Sequence, residues 1–115
     1  MIDRLADLIA KLEAAPNGSD KLDREIAMVC DIKWSPEEDG NFGGYDLLPR
    51  RCYFTSSLDA ALTLVPEGLH EEIKRAKHRK GWRVNLWNDH GLGQSADAPT
   101  APLAICIAAL RARHP

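Results

Sequence analysis

The segment that most constrains this chain lies near its end. From Leu103 to Leu110 the residues run Leu-Ala-Ile-Cys-Ile-Ala-Ala-Leu, with no charged side chain among them. Wound at 3.6 residues per turn, such a run is apolar all round, so a helix made from it has to be buried on more than one side. The nearly uncharged stretch from Ala98 to Leu110 is too short to cross a bilayer, which takes about 20 residues. Two solutions remain: this helix is the centre of a domain, or it is half of a dimer interface. Pro99 and Pro102 suit a first helical turn, whose N–H groups have no internal partner. The spacing predicts a helix from Thr100 to Arg113, with Arg111 and Arg113 at the negative end of its dipole.

The other segments are read as what surrounds that helix, because 115 residues leave room for a single core. Ile2, Leu5, Leu8, Ile9 and Leu12 fall on one face of a first helix, stopped by Pro16-Asn17-Gly18. Ser19 or Asp20 can cap a second, striped by Leu22, Ile26 and Val29. Residues 31–50 hold five glycines and prolines and an acidic cluster, with Trp34, Phe42 and Tyr45 interspersed. They show neither period and read as a long irregular loop. Arg51 to Phe54 is expected as a short strand, followed by a helix capped by Ser56 and carrying Leu58, Ala61, Leu62 and Val65 inward.

Trp82, Val84 and Leu86 alternate with Arg83, Asn85 and Trp87, the pattern of a strand. A strand needs a partner for its backbone groups. That requirement decides Leu69 to Lys77, which fits either period locally, in favour of a second strand turning at His78 to Gly81. The expected fold is α+β in the order α-α-β-α-β-β-α, a small antiparallel sheet layered between helices as an α-β-α sandwich. Residues 1–115 form one domain.

Composition sets outer bounds. Hydrophobic residues make up 44% and charged ones 28%, the balance of a globular chain. Asp3 and Asp7 interrupt the apolar pattern where a signal peptide would need a basic start and an apolar block, so none is expected. Cys30, Cys52 and Cys106 are odd in number and set among apolar neighbours, which reads as free thiols in a reducing compartment, the cytoplasm by default.

Three stretches together are similar to the phage ABA sandwich domain family. They are the run from Tyr53 through Thr55-Ser56-Ser57-Leu58 to Pro66-Glu67-Gly68, the strand opening Gly81-Trp82-Arg83-Val84, and Pro99-Thr100-Ala101-Pro102 with the apolar segment after it. The resemblance covers residues 51–113 and, loosely, 1–30; it does not extend to 31–50. It implies a sheet layered between helices and a phage or prophage setting. No activity, cofactor or catalytic residue comes with it.

No motif announces chemistry. The histidines His70, His78, His90 and His114 show no metal-ligand spacing, and no metal or cofactor is expected. Ser56 and Ser57 lack a nucleophile elbow. Asp89-His90 is an adjacent acid–imidazole pair open to acid–base work, or simply the polar end of a strand. Gly91 and Gly93, followed by a helix start at Thr100, could cradle an anion, with Arg83 for phosphate, Trp87 for stacking and His90 beside them. The alternative is an ordinary strand-to-helix connection. The basic patch Lys74, Arg75, Lys77, Arg79 and Lys80 suits either a phosphate backbone or a solvated edge strand, and the net charge of −2 disfavours nucleic acid. Expected partners are therefore a small anionic, nucleotide-like ligand or a protein held by the aromatic loop, with a homo-oligomer through the C-terminal helix as a further option. A membrane is not expected. The reading is a non-enzymatic binding module.

Overall fold

The computed structural model describes residues 4–34, 48–76, 81–91 and 93–113. In chain order these form helices α1 (Arg4–Ala14) and α2 (Asp20–Val29), a 3-10 turn (Arg50–Cys52), helix α3 (Leu58–Leu62), strands β1 (His70–Arg75), β2 (Trp82–Trp87) and β3 (Gly93–Ala98), and helix α4 (Ala101–Arg113). The strands make one antiparallel sheet in the order β1-β2-β3. The fold is α+β, a three-stranded antiparallel sheet packed against helices.

The all-apolar helix sits in the middle. Every residue from Leu103 to Leu110 is at most 1% exposed. One side of α4 rests on β2 and β3, and the other meets α1 and α3. Val84, Leu86, Ala96 and Ala98 supply the sheet's side of that core; Leu8, Leu12, Phe54, Ala61 and Leu64 supply the opposite side. Among the described residues the layers therefore run sheet, α4, then α1 and α3, so the middle layer of the expected sandwich is the helix rather than the sheet. The chain's own elements cover α4, which leaves it no apolar side for a second copy. An oligomer through this helix is thus set aside.

Arginines fasten the end of α4. Arg113 donates through Nε and Nη2 to the carbonyl of Leu64, at 3.1 and 3.0 Å. Arg111 donates to the carbonyl of Ser95 at 2.7 Å and pairs with Glu13 at 3.2 Å.

A second tie joins α2 to the segment before α3. Asp23, 3% exposed, accepts from both the N–H and the hydroxyl of Thr55, at 2.8 and 2.7 Å. The same Thr55 hydroxyl accepts the N–H of Ser19 at 2.9 Å. Gly18 lies so close that a Cβ there would overlap the carbonyl oxygen of Thr55. Beneath this clamp the Cys106 thiol donates to the carbonyl of Phe54 at 3.1 Å, and burial pushes that thiol well above its ordinary value. All three cysteines are free; Cys52 and Cys106 are buried and Cys30 half-buried.

Several local expectations are corrected. Residues 51–54 do not form a strand: the N–H of Cys52 turns back to Pro49 and that of Tyr53 to Arg50. Cys52 and Phe54 both point inward, so the turn imitates the alternation of a strand while its backbone bonds stay local. Ser57, not Ser56, caps α3 by accepting the N–H of Ala60, and Leu58 faces outward. The strand expected over Leu69 to Lys77 is present as His70–Arg75, as the pairing requirement demanded, and Lys77 lies outside the described residues. Gly93–Ala98, expected as a loop, is the third strand. Phe42 and Tyr45 lie outside the described residues, whereas Trp34 packs partly buried against the core.

The clamp yields a stability prediction. Burial raises the Asp23 carboxyl above its ordinary value; the two Thr55 hydrogen bonds oppose that rise and the nearby Asp20 adds to it. The folded chain then holds a proton that the unfolded chain has already released, so stability declines as pH rises through the window between the two values. Asp23→Asn keeps the acceptor and is expected to flatten this decline, which begins as pH rises above the ordinary aspartate value of 3.8. Asp23→Ala strands the Thr55 N–H and is expected to lose about 2–3 kcal/mol in urea denaturation at neutral pH.

Candidate functional site

The outer face of the sheet is where side chains with chemistry gather. Strand alternation sends His70, Glu72 and Lys74 of β1, Arg83, Asn85 and Trp87 of β2, and Ser95 and Asp97 of β3 to the side away from α4. No described element covers this side.

Its groups are mostly committed to one another. Arg83 makes a two-pronged contact with Asp97, directly opposite it on β3, at 2.8 and 3.0 Å. That carboxylate holds the guanidinium firmly in its charged form, raising its pKa. Asn85 donates to Glu72 at 2.9 Å and accepts from Ser95 at 2.8 Å, which ties all three strands together across the face. The Asn85 hydrogen bond, helped by Lys74 at 3.5 Å, lowers the Glu72 carboxyl.

At one end of the face the network gives way to an aromatic cluster. Trp87, 38% exposed, lies against the His70 ring with centroids 5.6 Å apart and planes tilted by 36°. His70 Nε2 is in turn 2.7 Å from Asp89 Oδ1. The acid–imidazole pair in the structure is thus His70–Asp89, nineteen positions apart, and not the adjacent Asp89-His90. The N–H of His90 instead closes a turn on the side chain of Asn88. The signal for the real pair is the β1–β2 register, which sets His70 opposite Trp87 and is legible only once both strands are assigned.

The residues expected to cradle an anion are not gathered at one point. Gly91 has a φ of 82° in the turn after β2, a conformation that favours glycine. Gly93 is already inside β3, where a Cβ would overlap the carbonyl oxygen of Leu86. Thr100 caps α4 at the far end of that strand, its hydroxyl accepting from the N–H of Leu103 at 3.4 Å. A six-residue strand, roughly 20 Å long, separates the glycine turn from the helix start. Arg83 pairs with the residue next to the distal end of β3, while Trp87 faces Gly93 at its beginning.

A cleft of about 270 Å³ at the β3 edge is lined by Arg83, Asp97, Ser95 and Arg111, and both arginines have their carboxylates. Of the basic patch, Lys74 pairs with Glu72, and the Arg75 guanidinium lies over the Trp82 ring, 5.1 Å from its centroid. Lys77, Arg79 and Lys80 lie outside the described residues. Among the described residues no three His, Cys, Asp or Glu side chains converge as metal ligands, and no helix is long and apolar enough to cross a membrane.

Two substitutions separate architecture from surface. Gly93→Ala is expected to cost about 1–3 kcal/mol and to speed amide exchange along β3. Arg83→Ala, on the solvated face, is expected to leave the melting temperature nearly unchanged. Compared with known proteins, the chain matches no family model, no curated protein and no solved structure.

Proposed function

We propose that this chain is a non-enzymatic binding module that docks a protein partner on the outer face of its sheet. The observation that carries the reading is Trp87, an indole on a sheet face that no described element covers, steadied by His70 and bordered by polar side chains already ordered by hydrogen bonds. An anchored aromatic with a polar surround is the arrangement that concentrates binding energy in interfaces, and its pre-ordering lowers the entropy lost on docking. The resemblance of residues 51–113 to the phage ABA sandwich domain family makes a phage or prophage accessory role the setting we propose.

A small anionic ligand has weaker support, because Arg83 and Arg111 already face Asp97 and Glu13. Catalysis through His70–Asp89 is also less favoured, since the pair lies in the open, 54% and 83% exposed, where bulk water competes for every proton.

A photo-crosslinking residue in place of Asn85 tests the docking face inside bacterial cells. The expected result is one dominant protein adduct, identifiable by mass spectrometry, which disappears on adding Trp87→Ala. The Trp87→Ala chain alone should melt where the parent does. Equal crosslinking with and without Trp87, or adducts no different from those at a control position such as Lys21, would overturn the reading.

A further inference from the structure

The free edge of β1 carries a self-complementary message. The N–H of Ala76 donates to Gly81 across the hairpin at 3.2 Å. Because backbone groups alternate sides along a strand, Lys74, Glu72 and His70 also turn toward β2, and Glu71, Ile73 and Arg75 present their N–H and C=O groups outward. The other sheet edge is partly occupied, since Arg111 takes the outward carbonyl of Ser95. No described element pairs with β1 on its outer side.

Along this edge the side chains read Glu71, Glu72, Ile73, Lys74, Arg75: two acids, an apolar centre, two bases. Set antiparallel to a second copy with Ile73 opposite Ile73, the order matches itself. Glu71 falls opposite Arg75 and Glu72 opposite Lys74, twice each about the two-fold axis. The outward backbone groups of residues 71, 73 and 75 then meet their counterparts in hydrogen-bonded pairs. Sliding by two positions sets Glu72 against Glu72, or Lys74 against Lys74; sliding by one turns every side chain to the wrong face. A parallel arrangement stacks like on like.

We propose that β1 is a homodimerisation edge, joining two copies into a six-stranded antiparallel sheet in the order β3-β2-β1-β1-β2-β3. Edge charges ordinarily guard a strand against indiscriminate pairing. Here their order rejects foreign strands while admitting one partner in one register. Among the described residues room exists for the second copy, because α4 packs on β2 and β3, while β1 is exposed at every position but the half-buried Ile73. One strand pair is a small interface, under about 1,200 Å², so the dimer is weak and concentration-dependent. The proposal does not depend on the partner reading of the outer face.

Sedimentation equilibrium of the purified chain, up to about 1 mM, tests it. The expected result is a monomer–dimer equilibrium that weakens with added salt. Glu71→Arg turns two attractive pairs into two repulsive ones and should weaken association about tenfold or more. Glu71→Arg combined with Arg75→Glu restores the complement and should restore the dimer, with circular dichroism confirming the fold of each variant. A monomer throughout the concentration range overturns the proposal. So does a Glu71→Arg chain that dimerises like the parent, or a double variant no better than the single one.

Discussion

One helix must vanish from water, and every other element is placed by that need. The run from Leu103 to Leu110 has no polar side that a single partner layer could leave in solvent. A sheet covers one side and the helical layer the other. The sheet comes close because the residues under the helix on β3 are Ala96 and Ala98. Small side chains on the strand and a thick apolar helix form one solution to a packing problem, in which total volume has to match.

Burying α4 does not by itself orient the layer above it. That task falls to the polar tie between Asp23 and Thr55, with Gly18 pressed against the same backbone. The tie is directional where the apolar core is not, and directional bonds distinguish one arrangement of α2 from its neighbours. Its carboxyl is raised by burial despite two hydrogen bonds, so specificity is obtained at some expense in stability.

The parts of the fold legible in the sequence were those with a strong period or an unavoidable demand for a partner: the buried helix, α1, α2, and β1 inferred from β2. Gly93–Ala98 escaped because glycine, serine, alanine and aspartate have low strand propensity. What makes it a strand is the fit of α4 over its alanines, a tertiary effect. Residues 51–54 misled for the opposite reason, showing alternating burial without a ladder. Asp23 was readable in principle, since it lies three positions before Ile26 on the buried stripe of α2, yet a lone acid there draws attention only once Thr55 is seen opposite. At the candidate site, Arg83 and Trp87 were correctly placed on one strand face, whereas the partners that neutralise Arg83 and steady Trp87 come from strands not yet registered.

A core organised around one central helix also governs how the molecule can come apart. Because α4 is the common floor of the sheet and of the helical layer, neither can detach and leave the other intact. The two arginines that fasten its last turn close off fraying from that end. Among the described elements, local opening is then expected at the rim, at the β1 edge and the outer surface of α2, and the interior is expected to open as one unit. In hydrogen exchange the slowest amides should form one set across α4, β2 and the buried side of α1, with a single opening free energy equal to that of global unfolding.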